Sequence, residues 1–186
     1  MELALIILLV LLVIAGIGLA STYNGLNSRY RRVDQSWSNL DVALHNRWET
    51  IPALVDVVKG AADFQRETLE KVVEARAAAM GAESASDRAE AENGLSGALS
   101  NLFALAEQYP DLTAVDAYRD LQAEIANLQR SIVEARRLFN SNVTEFNTYR
   151  TSFPTVVVAG MFSQFGMRDL FEIEDVEMRS MPSTDL

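Results

Sequence analysis

The chain has 186 residues, no cysteine, one histidine, and 26 acidic against 16 basic side chains, a formal net charge of −10. That balance argues against nucleic acid, which demands a concentrated basic surface, and the lack of cysteine excludes disulfides, thiolate metal sites and a cysteine nucleophile. One domain of roughly 150 residues beside a short apolar run is enough chain for a single core.

The first element is the apolar run Leu3 to Ala20, which carries no charged side chain. As a helix it rises about 27 Å, close to the thickness of a hydrocarbon core. A cleaved secretory signal is the rival reading, and Gly18-Leu19-Ala20 supplies small residues at its end. A signal needs a basic leading region, however, and only Met1 and Glu2 precede the run, so a retained anchor is expected. Arg29, Arg31 and Arg32 lie just beyond it. The positive-inside rule then predicts a single-pass protein of the cell membrane with its N-terminus outside and its body in the cytoplasm. Tyr23 falls where an amphipathic ring suits the headgroup layer.

Next come apolar residues at helical spacing: Leu26, Tyr30, Val33, Trp37, Leu40, Leu44, Trp48, Ile51, Val55 and Val58. They make one buried stripe on one long helix, with the intervening Arg, Asp, Asn and Glu as its wet face. Pro52 predicts a kink within that helix, Gly60 a stop, and Asp63 a new N-cap. A shorter helix follows through Leu69, Val72, Val73 and Ala77 to Met80. The run Gly81 to Asp87 reads as a loop, with Ser86 or Asp87 capping a third helix that carries Leu95, Leu99, Leu102, Leu105 or Ala106, and Tyr109, and stops at Pro110. The last stripe runs Leu112, Val115, Tyr118, Leu121, Ile125, Leu128, Ile132, Ala135, Phe139, Val143, Phe146 and Tyr149, and Pro154 ends it.

With a reversal near Gly60 the helices rise about 55, 27, 33 and 55 Å, so two short arms match each long one. Without it the first helix stands about 85 Å tall and its partners fail to match it. The first layout is preferred. The predicted architecture is therefore all-α: an N-terminal transmembrane helix followed by an antiparallel up-and-down four-helix bundle with long helices. The expected divisions are an anchor at 1–22, the bundle at 23–153, an apolar Phe/Met-rich segment at 154–171 and a mobile acidic tail at 172–186.

An even number of helices returns the segment after Pro154 to the membrane end. Met161, Phe162, Phe165, Met167, Leu170 and Phe171 are its interaction candidates, for a bilayer interface or a neighbouring subunit. The alternative is that the segment folds back and plugs its own bundle. Trp37, Trp48, Pro52, Arg136, Arg137 and Pro154 are expected to act structurally. Arg136 and Arg137, amid an apolar stripe beside Asn140, either pair with a carboxylate such as Asp34, Asp41 or Glu74 or snorkel to water.

Chemistry-bearing patterns are sparse. Asp41, His45 and Glu49 share a helix face, but the carboxylate-bridged bundle sites use a Glu-x-x-His pair on each of two helices, and one histidine cannot supply two. A solvated face with charge pairs four residues apart is the simpler reading. Gly94 and Gly97 lie at helical spacing with no following Lys, unlike a phosphate loop, and no serine sits in G-x-S-x-G. No enzyme activity, cofactor or metal is expected.

Several fragments in fixed order carry a resemblance: Tyr23-Asn24 and Leu26; Trp37 and Asp41-Val42 with Leu44 and Arg47; Ile51-Pro52, Leu54-Val55 and Val58-Lys59-Gly60; Glu74-Ala75-Arg76; Tyr109-Pro110 with Leu112; Leu121-Gln122 and Glu124; Ala135-Arg136-Arg137 with Asn140 and Val143; Phe146-Asn147; and Phe153-Pro154. Over essentially its whole length the sequence resembles the LemA family of small prokaryotic membrane-anchored proteins. It departs from that pattern at Ala53, Ala61 and Gln129. The resemblance implies an N-out anchored bundle of four antiparallel helices with no assigned enzymatic activity. A family member associated with magnetosome membrane formation points to membrane organisation. The leading expectation is a non-enzymatic scaffold that self-associates or binds another membrane protein, and the alternative is membrane remodelling through the apolar segment. The expected partners are the lipid bilayer, further copies of the chain and another membrane protein. A metal carrier or enzyme is the third class.

Overall fold

The computed structural model describes residues 1–60 and 64–172, and among these every regular element is helical. Six α-helices follow one another: α1 (Glu2–Lys59), α2 (Arg66–Gly81), α3 (Ala85–Ala106), α4 (Pro110–Thr113), α5 (Asp116–Thr151) and α6 (Thr155–Met161), with a 3-10 turn at Ser163–Phe165 after the last. The helix α1 is continuous through Pro52 and ends at the residue before Gly60, where the sequence placed its stop. Asp63, the expected new cap, lies outside the described residues, as does the acidic tail from residue 173. Gln65 precedes α2 without a side-chain cap.

The loop expected over 81–87 is shorter, and its cap is a different residue. Helix α2 runs through Gly81, and Ser84, not Ser86 or Asp87, accepts the Asp87 backbone N–H at 3.0 Å. A hydroxyl three residues ahead satisfies a donor that the first turn leaves open, while Asp87 places a negative charge at the positive end of the helix. Pro110 also does more than stop a helix. It opens the single-turn α4, where its missing N–H is no loss and its fixed φ suits the first turn. The last long helix therefore starts at Asp116, and Val115 is 42 % exposed despite its stripe position.

The chain divides into two compact units, residues 1–40 with 135–169 and residues 41–134 with those described after 169. In the first, Leu26, Val33 and Leu40 of α1 and Phe139, Val143 and Phe146 of α5 are buried, each side chain contributing about 1.5–3 kcal/mol by leaving water. The Trp37 and Phe139 rings meet at 5.3 Å and those of Tyr30 and Phe146 at 5.9 Å. Outside this seam, Glu145 accepts ion pairs from Arg29 at 3.0 Å and Arg32 at 3.4 Å. Gly25 leaves room for the Tyr149 ring, over which the Arg29 guanidinium stacks at 4.0 Å.

The core of the second unit gathers Leu44, Trp48, Ile51, Leu54, Val55 and Val58 from α1, Leu69, Val72 and Ala79 from α2, Leu95, Leu99 and Leu102 from α3, and Tyr118, Ile125 and Ile132 from α5. Phe64 and Tyr109 close the connecting end with rings 5.1 Å apart.

Candidate functional site

Two groupings stand out, one in each unit. In the second unit Arg47 and Trp48 share the buried phase of Leu44 and Ile51, and Glu92 shares that of Ala89, Leu95 and Leu99, so helix geometry drives both charges inward. Arg47 is 1 % exposed and Glu92 fully buried, which corrects the expectation that the α1 arginines between stripe residues face water. The two form an ion pair. The Trp48 indole N–H donates to Glu92 Oε1 at 2.6 Å, and Arg47 Nη1 donates to Gln129 Oε1 at 2.6 Å and to Ser96 Oγ at 3.2 Å. Arg76 Nε donates to the Trp48 carbonyl at 2.6 Å. Arg88 pairs with Asp41, donates to the Ala82 carbonyl at 3.0 Å and lies 5.8 Å from the Trp48 ring.

Burial pulls the Arg47 guanidinium down to about 10, which leaves it charged at neutral pH. Gln129 supplies an acceptor oxygen without a second negative charge. Chemically this is a closed arrangement. The buried Arg47 Nε has no hydrogen-bond partner, while the rest of the guanidinium is engaged by Glu92, Gln129 and Ser96, and removing either member of the ion pair strands a charge in apolar surroundings.

The candidate trio on α1 is split, since Asp41 turns to Arg88 while exposed His45 meets Glu49 at 3.2 Å. Among the described residues no group of three or more His, Asp or Glu side chains is placed to hold a metal. Two open clefts border α2. One of about 600 Å³ is lined by Lys59, Phe64, Arg66 and Leu69 among others, and one of about 550 Å³ lies between Thr68, Lys71 and Ala75 of α2 and Gly94, Gly97 and Asn101 of α3.

In the first unit the segment after Pro154 forms α6 and the 3-10 turn. Phe165 is buried, with Tyr23 at 5.6 Å and Tyr30 at 5.9 Å, and Phe162 lies 5.0 Å from Tyr23. The Arg150 side chain donates to the Phe165 carbonyl. Asn147 clasps the Arg168 backbone from both sides, donating to its carbonyl at 2.8 Å and accepting its N–H at 3.1 Å. The Arg168 side chain pairs with Asp34 and lies 4.7 Å from the Tyr30 ring. Of the six interaction candidates, Met161, Phe162, Met167 and Leu170 are exposed, whereas Phe165 and Phe171 are buried and present no surface. The buried phase was the misjudged point: Phe165 is held by two tyrosines from α1 that no local pattern links to it.

Among the structural candidates, Trp48 is core, Trp37 half-buried, Arg136 buried and Arg137 exposed. Pro52 and Pro154 are both exposed, the latter following a cis peptide bond and preceding α6. Asp34 and Asp41, offered as partners for Arg136 or Arg137, engage Arg168 and Arg88. Sequence reasoning missed Arg47, Glu92, Ser96 and Gln129. The available signal was charges of opposite sign standing in stripe phase on two different helices.

The protein so defined is all-α, with a candidate membrane helix at its N-terminus, of which the apolar window is wholly unburied, leading into a helical body. The LemA family model matches residues 36–185, most of the chain, and the chain belongs to the LemA family. It is also similar to the magnetosome protein MamQ of Magnetospirillum gryphiswaldense, at 30 % identity over 64 residues, which are 34 % of this chain and 24 % of MamQ. The matched stretch thus spans about a quarter of that relative's length.

Proposed function

We propose that the chain is a membrane-anchored helical scaffold without catalytic activity of its own, whose body binds further copies of itself or another membrane protein. The observation that carries this is a contrast along one helix. Side chains from Leu3 to Ile17 are about half exposed or more, while Leu26 and Leu40 of the same unbroken helix are fully buried. A run of that length left in water would cost tens of kcal/mol in unburied apolar area, and a bilayer is the solvent that matches it. Arg29, Arg31 and Arg32 then favour an N-terminus outside and a cytoplasmic body.

An antiparallel up-and-down four-helix bundle is the architecture proposed for that body. In the first unit Tyr30 meets Phe146 and Trp37 meets Phe139; in the second Arg47 meets Gln129 and Thr50 meets Glu124. Within each, residue numbers on α5 fall as those on α1 rise, which supports opposed directions. The Arg47–Glu92 pair, closed off from solvent, joins α1 to α3 and offers a substrate no surface, which supports a structural role for it.

Crosslinking and native mass measurement of the full chain in detergent test the scaffold. Oligomers or a captured membrane protein are expected, and a strict monomer with neither rejects the reading. Orientation is read from single cysteines in this cysteine-free chain: Ser100→Cys should be labelled by an impermeant maleimide only after the cells are opened. A second reading, remodelling of the bilayer by the segment after Pro154, is favoured by the exposed Val157 and Met161 side chains and predicts deformation of vesicles by the reconstituted chain.

A further inference from the structure

We infer that the outer face of α6, formed by Val156, Val157 and Met161 with Phe162 beside it, docks onto the headgroup boundary of the bilayer that α1 crosses. The inference rests on the anchored reading of α1 and adds to it a second point of contact.

Composition comes first. Charged residues make up 23 % of the chain, yet the fifteen residues from Phe153 to Met167 contain none. Helix α6 turns Thr155, Val158 and Ala159 inward, at 3–4 % exposure, which leaves Val156, Val157 and Met161 outward at 44, 57 and 69 %. A helix on a watered surface has the reverse pattern, with charge on its outer face. Phe153 just before the helix and Met167 beyond it are also exposed, at 86 and 57 %. Exposed apolar side chains grouped on one helix face mark contact with lipid or protein.

Position selects lipid. Phe162 and Phe165 pack on Tyr23, and Gln164 donates to the Tyr23 hydroxyl at 3.4 Å. Tyr23 stands three residues beyond Ala20, where the apolar run ends, which is about 4.5 Å further along the helix axis. The end of α5 is at the same level, because the Tyr149 ring meets Gly25 two residues before α5 stops at Thr151. Phe153 and α6 therefore emerge where the span leaves the hydrocarbon, the depth at which aromatic rings and short amphipathic helices are favoured. Seven residues bind a bilayer weakly alone. The span removes that difficulty by holding α6 at high local concentration beside the surface.

The test uses the full chain, reconstituted in vesicles of phosphatidylcholine and phosphatidylglycerol, with a nitroxide on a single introduced cysteine. Val157→Cys and Met161→Cys probe the face, Leu12→Cys the span and Ser100→Cys the solvated surface. Each label is challenged with oxygen, which concentrates in lipid, and with a water-soluble nickel chelate. Docking predicts that labels at 157 and 161 favour oxygen over nickel several-fold more than the label at 100, at a depth shallower than Leu12. If Leu12 reports hydrocarbon while both face labels meet nickel freely, docking is overturned and the anchor stands. Exclusion of both agents at 157 and 161 shows protein covering the face, which also overturns it. A water-exposed label at Leu12 removes the anchored reading and the docking with it.

Discussion

A Cβ built on Gly25 would stand 2.5 Å from the hydroxyl oxygen of Tyr149 and 3.1 Å from Cζ of the same ring. The glycine is thus a matter of space, since its backbone is ordinary helix. Gly25→Ala brings about 1 kcal/mol of helix propensity, against overpacking that typically costs about 1–3 kcal/mol. The atoms that would have to move are the far end of the Tyr149 side chain, and the Arg29 guanidinium stacked over that ring resists the shift, so the second effect is the larger and the melting temperature should fall. In a Tyr149→Ala background only the propensity gain is left, and the same substitution should become stabilising. Thermal melts of the four variants decide it: an unchanged sign in the Tyr149→Ala background would remove the steric account.

Glu92→Ala should be among the most damaging single changes, about 3–5 kcal/mol, because it leaves the Arg47 charge buried without its partner. The double variant Arg47→Met with Glu92→Leu should recover most of that loss. The recovery stays incomplete because the Trp48 N–H loses its acceptor, a cost of about 1–3 kcal/mol. Urea unfolding in micelles measures all three. A double variant no better than Glu92→Ala alone would show that the pair is not the source of the effect.

Tyr118 provides the pH dependence. Burial, and secondarily the charge of Glu107, raises its phenol above the ordinary value of about 10. A raised folded-state value means that the contribution is complete below pH 10 and is lost as pH climbs through the folded value, because the unfolded phenol ionises first. Stability should therefore decline above about pH 10, and Tyr118→Phe should lessen that decline while leaving the neutral range near its starting point. Ultraviolet titration of the phenols, followed by melts across that range, checks both parts.

Asn147 links α5 to the segment beyond α6 by two hydrogen bonds to one residue. Asn147→Ala should speed amide exchange over residues 155–168 by an order of magnitude or more, since roughly 1 kcal/mol per lost bond is at stake. Exchange in α2 and α3 should stay as it was. Uniform acceleration across the chain would instead indicate general destabilisation.

Much of the helical order was legible, for a physical reason. The apolar run, the end of α1 before Gly60, the small polar connection before α3 and the stop ahead of Pro154 are all set by residues near each other in sequence. What escaped depended on distant partners. Arg47 looked solvated because arginine usually is, and Glu92, which neutralises it, lies on another helix. Phe165 looked like surface because Tyr23 and Tyr30, which enclose it, stand far away in the chain. Ser84 was missed for a smaller reason: three hydroxyl or carboxylate residues compete as caps within four positions, and backbone geometry chooses among them. Of the two arginines noticed beside Asn140, Arg136 is buried and Arg137 is exposed, a difference of helix phase between neighbours.

The absence of any break in α1 between Ala20 and Leu26 has a mechanical meaning. A domain hung from a flexible leash keeps no memory of how its membrane segment leans. If α1 is anchored as proposed, the rod that enters the lipid is the rod that packs against α5, so a bilayer that thickens or thins, and thereby alters the tilt of the inserted part, would also turn the first unit to a new heading.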